Sequence, residues 1–176
     1  MFADLDTEQV DRAVTGLTRP FPAGLMTDAG MLVANPAFCA PALQARFSRN
    51  AYHGTVVWSW QQALFAAGLE RQLQRHDLAP SVRTHLLEAQ RVLWSAINAT
   101  RSINNSELWS WSFDAGHYRV APFGAAAADA DESNAAQLWS TVYLAVKPPH
   151  TALNASSDAQ DGMLRAASAS RQLPER

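Results

Sequence analysis

Two long segments of helical period, separated by a short connection, constrain this chain more than any other feature. From about Thr55 to His76, the residues Val57, Trp60, Leu64, Ala67 and Leu73 fall on or near one face, as an amphipathic helix requires. Pro80-Ser81 opens the second segment, in which Val82, Leu86, Leu87, Val92, Leu93 and Ile97 form a broad apolar stripe. Proline suits the first helical turn because its missing N–H would have no partner there. A joint of about four residues leaves the second helix no course but to fold back on the first as an antiparallel hairpin.

Upstream, Asp6-Thr-Glu-Gln9 reads as a capping box, and Val10, Val14 and Leu17 then recur at helical spacing. That helix must stop before Arg19-Pro20-Phe-Pro22, because a proline biases its predecessor away from the helical region. Residues 20–54 hold four of the nine prolines and three glycines without a clear period, so an irregular connection is expected, with Met31-Leu-Val33 as a short strand. Residues 101–131 form a second stretch without helical period, in which His117-Tyr-Arg-Val120 suits a strand or edge. Connections this long in a compact domain are usually functional when ordered. Asp131 or Ser133 then opens a last helix carrying Leu138, Val142 and Val146, which Pro148-Pro149 ends. The residues beyond, rich in Ala, Ser, Asp and Gln, predict a flexible tail over 151–176.

The 176 residues suffice for one domain with a real core. A formal net charge of −2 removes the usual electrostatic argument for nucleic acid or an anionic membrane. No apolar run approaches the length of a bilayer crossing. The opening Met1-Phe-Ala-Asp-Leu-Asp is acidic where a secretory leader would be basic and then apolar. A single Cys39 excludes an internal disulfide and a Cys-based zinc site. His76, His85 and His117 lack ligand spacing, so no catalytic metal is expected. Ser59, Ser110 and Ser140 lack a nucleophile-elbow context, which argues against a serine hydrolase.

The richest chemistry lies in Asn50-Ala-Tyr-His-Gly-Thr-Val-Val-Trp-Ser-Trp60, where loop gives way to helix. Flat apolar faces beside orienting hydrogen-bond groups are what a sugar cleft uses, although an aromatic-rich buried corner has the same composition. On a helix Trp58 and Trp60 point in different directions. Trp60 is assigned to the core with Leu64, and Trp58 to the cleft beside Tyr52 and His53. Trp109 and Trp111 fall in the long loop, where an ordered indole needs a reason, and a sugar platform is one.

Four segments resemble, in order, the C-terminal portion of the six-hairpin (α/α)₆ glycoside hydrolases, closest to the glycogen-debranching, amylo-α-1,6-glucosidase-like branch. Pro20-Phe-Pro-Ala-Gly-Leu-Met-Thr27 is similar to that family's P-x-G-L-x-T loop. Tyr52-His-Gly-Thr-Val-Val-Trp-Ser-Trp60 is similar to its Y-H-x-G-x-V-W-x-W segment. Ser106-Glu107 matches an S-E pair after a helical hairpin, and Ala136-Gln-Leu-Trp-Ser140 matches an A-Q-x-W-S helix start. The resemblance implies an all-α fold, a partial (α/α)₆ toroid, with residues 1–150 as the C-terminal part of the catalytic domain. A complete ring needs more helices than this chain supplies. A fragment is therefore implied, completed by the missing hairpins or by self-association, and inactive or prone to associate when alone. The implied activity is hydrolysis, by inversion, of an α-glucosidic or related oligosaccharide linkage without a cofactor.

Such hydrolysis needs two carboxyl groups, one to protonate the leaving oxygen and one to activate water. The resemblance puts the general acid outside this sequence and the general base at Glu107 or Glu132. Glu107 is flanked by Trp109 and Trp111, which would desolvate it; its plain alternative is a loop carboxylate paired with Arg101. Glu132 precedes the last helix, where free N–H groups and the helix dipole favour any carboxylate. Asp114 is a distant third. Tyr52, His53, Trp58, Trp109 and Gln137 are the expected substrate-binding residues, while Trp139 is expected to pack. A non-catalytic carbohydrate-binding or interaction module is the alternative.

Overall fold

The computed structural model describes residues 5–124 and 145–149. The chain divides into two units, Met1–Val146 and Lys147–Arg176. Among its described residues the first unit holds four α-helices and two small antiparallel sheets, a mixed α/β fold. The all-α expectation is therefore corrected.

Helix α1 (Thr7–Leu17) begins with the expected capping box: Asp6 Oδ1 accepts from the Gln9 N–H at 2.7 Å, and Gln9 Oε1 accepts from the Asp6 N–H at 3.3 Å. Val10 and Val14 are buried on one face. The chain then enters a short hairpin, β1 (Met26–Thr27) against β2 (Gly30–Met31). Gly30 has φ +124°, and a Cβ there would meet Val57 Cγ1 at 2.7 Å, so only glycine fits without strain. Helix α2 (Pro41–Arg46) buries none of its residues.

Strand β3 (Val57–Trp58) leads directly into helix α3 (Ser59–Leu73), which packs on helix α4 (Pro80–Ala99). The first predicted turns of α3 are thus strand. β-Branched Val56 and Val57 pair better in a sheet than in a helix, and a partner strand is present. The later start rotates the buried face, which runs through Gln62, Phe65, Ala66, Leu69 and Gln72, while Leu64 is 40% exposed. Two buried glutamines break the apolar pattern that sequence reading follows. In α4, Val82, Leu86, Leu93 and Ile97 are buried as expected, with Ala89 between them, but Leu87 is 52% exposed. Residues of α1, β1, β2, α3 and α4 together form the main core.

The second predicted loop holds the largest strands. β4 (Leu108–Asp114) pairs with β3 on one side and with β5 (His117–Ala121) on the other. The β4–β5 turn is Ala115-Gly116, with φ of 49° and 83°, the two successive positive values that match the twist of a tight hairpin. Val57 and Trp109 pack with Leu32 on one face of this sheet, and Leu108, Val56 and Phe123 cluster with Tyr52 and Trp58. An isolated bridge from Leu32 to Val57 joins the β2 segment to β3. The predicted last helix and the tail over 151–176 lie outside the described residues.

Candidate functional site

The turn over residues 48–55 is tightly wound. The Ala51 N–H donates to the Ser48 carbonyl, the Gly54 N–H to the Ala51 carbonyl and the Thr55 N–H to the Phe47 carbonyl, at 2.8–3.1 Å. A Cβ on Gly54 would lie 1.9 Å from the Ser48 carbonyl oxygen, so glycine is obligatory there. This turn carries Tyr52 and His53 back over the β3–α3 junction. The Tyr52 ring contacts His53 at 4.8 Å, Trp58 at 4.9 Å and Phe123 at 6.3 Å between centroids. The Trp58 indole N–H donates to the Tyr52 carbonyl at 3.2 Å. His53 is exposed and tilts over Trp58 at 5.5 Å.

Glu107 stands immediately before β4 and is 0% exposed. Its backbone carbonyl accepts from both the N–H and the hydroxyl of Ser59, at 3.0 and 3.2 Å, which pins it to the first residue of α3. The Tyr52 hydroxyl donates to Glu107 Oε1. Glu107 Oε2 is buried and has no hydrogen-bond partner among the described residues. Taking a carboxylate out of water costs several kcal/mol unless its oxygens are well bonded, so this carboxyl is expensive to the fold.

The structure thus brings Glu107, Tyr52, His53 and Trp58 together across more than fifty positions of sequence. Trp109 does not join them as an open platform. It is 2% exposed, and its indole N–H donates to the Ala29 carbonyl at 2.7 Å, so its platform role is corrected to that of a core residue. Trp111 is likewise tied to the Thr55 carbonyl at 2.7 Å, with Arg49 over its ring. Trp58 and Trp60 are both half-buried and meet edge to face at 5.6 Å. One ends a strand and the other begins a helix, so neither the helical divergence nor the core assignment of Trp60 holds. Asp114 is exposed near the hairpin tip. Glu132, Gln137 and Trp139 lie outside the described residues. Sequence reading missed Ser59, Phe123 and Gln62. A serine that donates to a carbonyl 48 residues away leaves no motif, but the alternation in Leu108-Trp-Ser-Trp-Ser-Phe113 before Ala-Gly is a hairpin signal that the loop assignment passed over.

A separate groove of about 1070 Å³ runs between α1, α4, the β1 segment and the β4–β5 tip, and neither Glu107 nor Tyr52 lines it. Among the described residues no group of three or more His, Cys, Asp or Glu side chains is placed to hold a metal ion, and no helix is long and apolar enough to cross a membrane. No family model, curated protein or solved structure matches the chain.

Proposed function

We propose that the protein is a glycoside hydrolase acting on an α-glucosidic or related oligosaccharide linkage, with Glu107 as general base and Tyr52 positioning it. What carries this reading is a buried carboxyl held by a tyrosine hydroxyl at one oxygen, with no partner among the described residues at the other. An under-bonded buried group of this kind asks for an explanation, and reaction chemistry is one that justifies its cost. Aromatic Tyr52, His53 and Trp58 beside it supply the flat faces and polar edges that a sugar ring needs.

In the reaction, Glu107 takes a proton from water as the water oxygen attacks the anomeric carbon. The bond from that carbon to the leaving oxygen breaks, and the leaving oxygen takes a proton from a separate acid, with inversion at carbon. The acid is a second carboxyl group on the opposite side of the scissile bond. No all-helical ring is part of this reading.

α-Glucosyl fluoride isolates the base, because fluoride leaves without needing a strong acid. The expected result is fluoride release by the wild type and a fall of about 10²–10⁴ in rate for Glu107→Gln, with the folded state retained. Release no faster than in buffer, or equal release by the variant, would overturn the proposal. The complete burial of Glu107 favours a second reading, a non-catalytic carbohydrate-binding or interaction module in which the Tyr52–Glu107 pair clamps the turn to β4. That module releases no fluoride with either protein, and Glu107→Leu then weakens folding alone.

A further inference from the structure

The 1070 Å³ groove is remote from Glu107 in its lining, and its chemistry is distinct. One wall is aromatic. Tyr118 on β5 contacts Phe113 at 4.8 Å, Trp111 at 5.1 Å and Phe21 at 6.1 Å. Phe113 is 56% exposed and lies on the groove. A large ring held open to water by a paired hairpin offers a flat apolar face on which another flat face can stack. The hairpin is anchored as well as paired: Asp28 Oδ2 accepts from the Tyr118 N–H and contacts His117 Nδ1, both at 3.3 Å. The aromatic wall is therefore preorganised.

The opposite wall is the polar face of α4. Arg91 and Glu88 form a two-pronged pair there at 2.6 and 2.8 Å, and Ser95 lies one turn further on. Arg19 and Asp28 contribute one charge of each sign. Cations and carboxylates balance along the lining, which gives a polyanion such as nucleic acid no net attraction. Burial, helped by the Asp28 charge, raises the Tyr118 phenol above its ordinary value of 10.0.

We propose that this groove is a binding site for a neutral oligosaccharide, which stacks a sugar face on Phe113 and Tyr118 and offers its hydroxyls to the Glu88–Arg91 pair. Flat rings facing fixed, mutually neutralised polar groups suit a ligand that is apolar on its faces and polar at its rim. The site stands independently of hydrolysis at Glu107.

The test is titration of the ¹⁵N-labelled protein with maltoheptaose and, separately, cellopentaose at millimolar concentration. Saturable amide shifts are expected at residues 113–118, Arg19 and Asp28. Phe113→Ala, at an exposed strand position, should weaken binding about two- to tenfold by removal of one stacking contact, with the β4–β5 amide pattern of the free protein retained. Arg91→Ala should weaken it as well. Absence of saturable shifts with both sugars overturns the proposal, as do shifts confined to Tyr52–Trp58 or an affinity indifferent to Phe113→Ala. Loss of fluoride release with these shifts intact would sink the hydrolytic reading and leave the groove standing.

Discussion

Tyr52 and Glu107 show how one hydrogen bond decides the meaning of two residues. Sequence alone sets both among aromatics. Only the fold joins the hydroxyl to the carboxyl and encloses them. Tyr52→Phe removes the donor and keeps the ring, so Glu107 Oε1 would lose its hydrogen bond from the Tyr52 hydroxyl. Its stability cost should be about 1–3 kcal/mol, the desolvation of an acceptor left unpaired, read from urea unfolding. Under the hydrolytic reading fluoride release also falls, with KM for α-glucosyl fluoride nearly unchanged. Trp109 behaves oppositely: as a buried indole bonded to the Ala29 carbonyl, its replacement by Ala should cost about 3–5 kcal/mol, whereas an open platform would cost little.

At the scale of elements, the helices and the strand at His117–Val120 were legible, whereas β3, β4 and their pairing were not. The α1 capping box and the Pro80 start of α4 are local devices, complete within a few residues, and they appear as expected. Strands β3 and β4 meet across some fifty residues, and nothing within either segment names its partner. The α3–α4 joint over residues 74–79 is held by arginines. Arg83 donates to the Leu73 carbonyl at 2.7 Å and to the Arg75 carbonyl. Arg75 donates to both oxygens of Asp77 at 2.9 and 2.6 Å and holds that carboxyl below its ordinary range. Hydrogen bonds from a charged donor contribute about 1.5–3 kcal/mol, so Arg83→Ala should lower stability by an amount of that order, and Arg83→Lys should restore only part of it. Gly30→Ala tests the β1–β2 hairpin: positive φ and the Val57 contact together predict a loss of about 1–3 kcal/mol.

For the whole molecule, the largest core cluster among the described residues joins buried faces of α1, α3 and α4 with Met26 and Met31. Leu93→Ala removes a fully buried side chain and should cost about 2–5 kcal/mol. Leu87→Ala, on the same helix but half exposed, should fall within about 0.5 kcal/mol of wild type. Alkaline pH is a second global lever. Burial, then the Asp28 charge, raises the Tyr118 phenol, so the folded chain holds that proton more tightly than the unfolded one. The associated stability is fully present below about pH 10 and is lost as pH rises through the folded value. Urea midpoints measured upward from neutral pH should show this decline, and Tyr118→Phe should flatten it. Self-association is our proposal at this scale, from the outward Leu64 and Leu87; sedimentation equilibrium should find oligomers, and a cooperatively folding monomer would overturn it.

Sequence by itself determined the three main helices, the break at Pro20, the start at Pro80, and the aromatic cluster around Tyr52, because capping, proline geometry and ring chemistry act over one or two turns. Tertiary structure decided that Val56 and Val57 extend rather than coil, which face of α3 is buried, that Trp109 is interior, and that Glu107 meets Tyr52. Each of those depends on a partner distant in the chain, and pairing free energy between distant segments has no local signature.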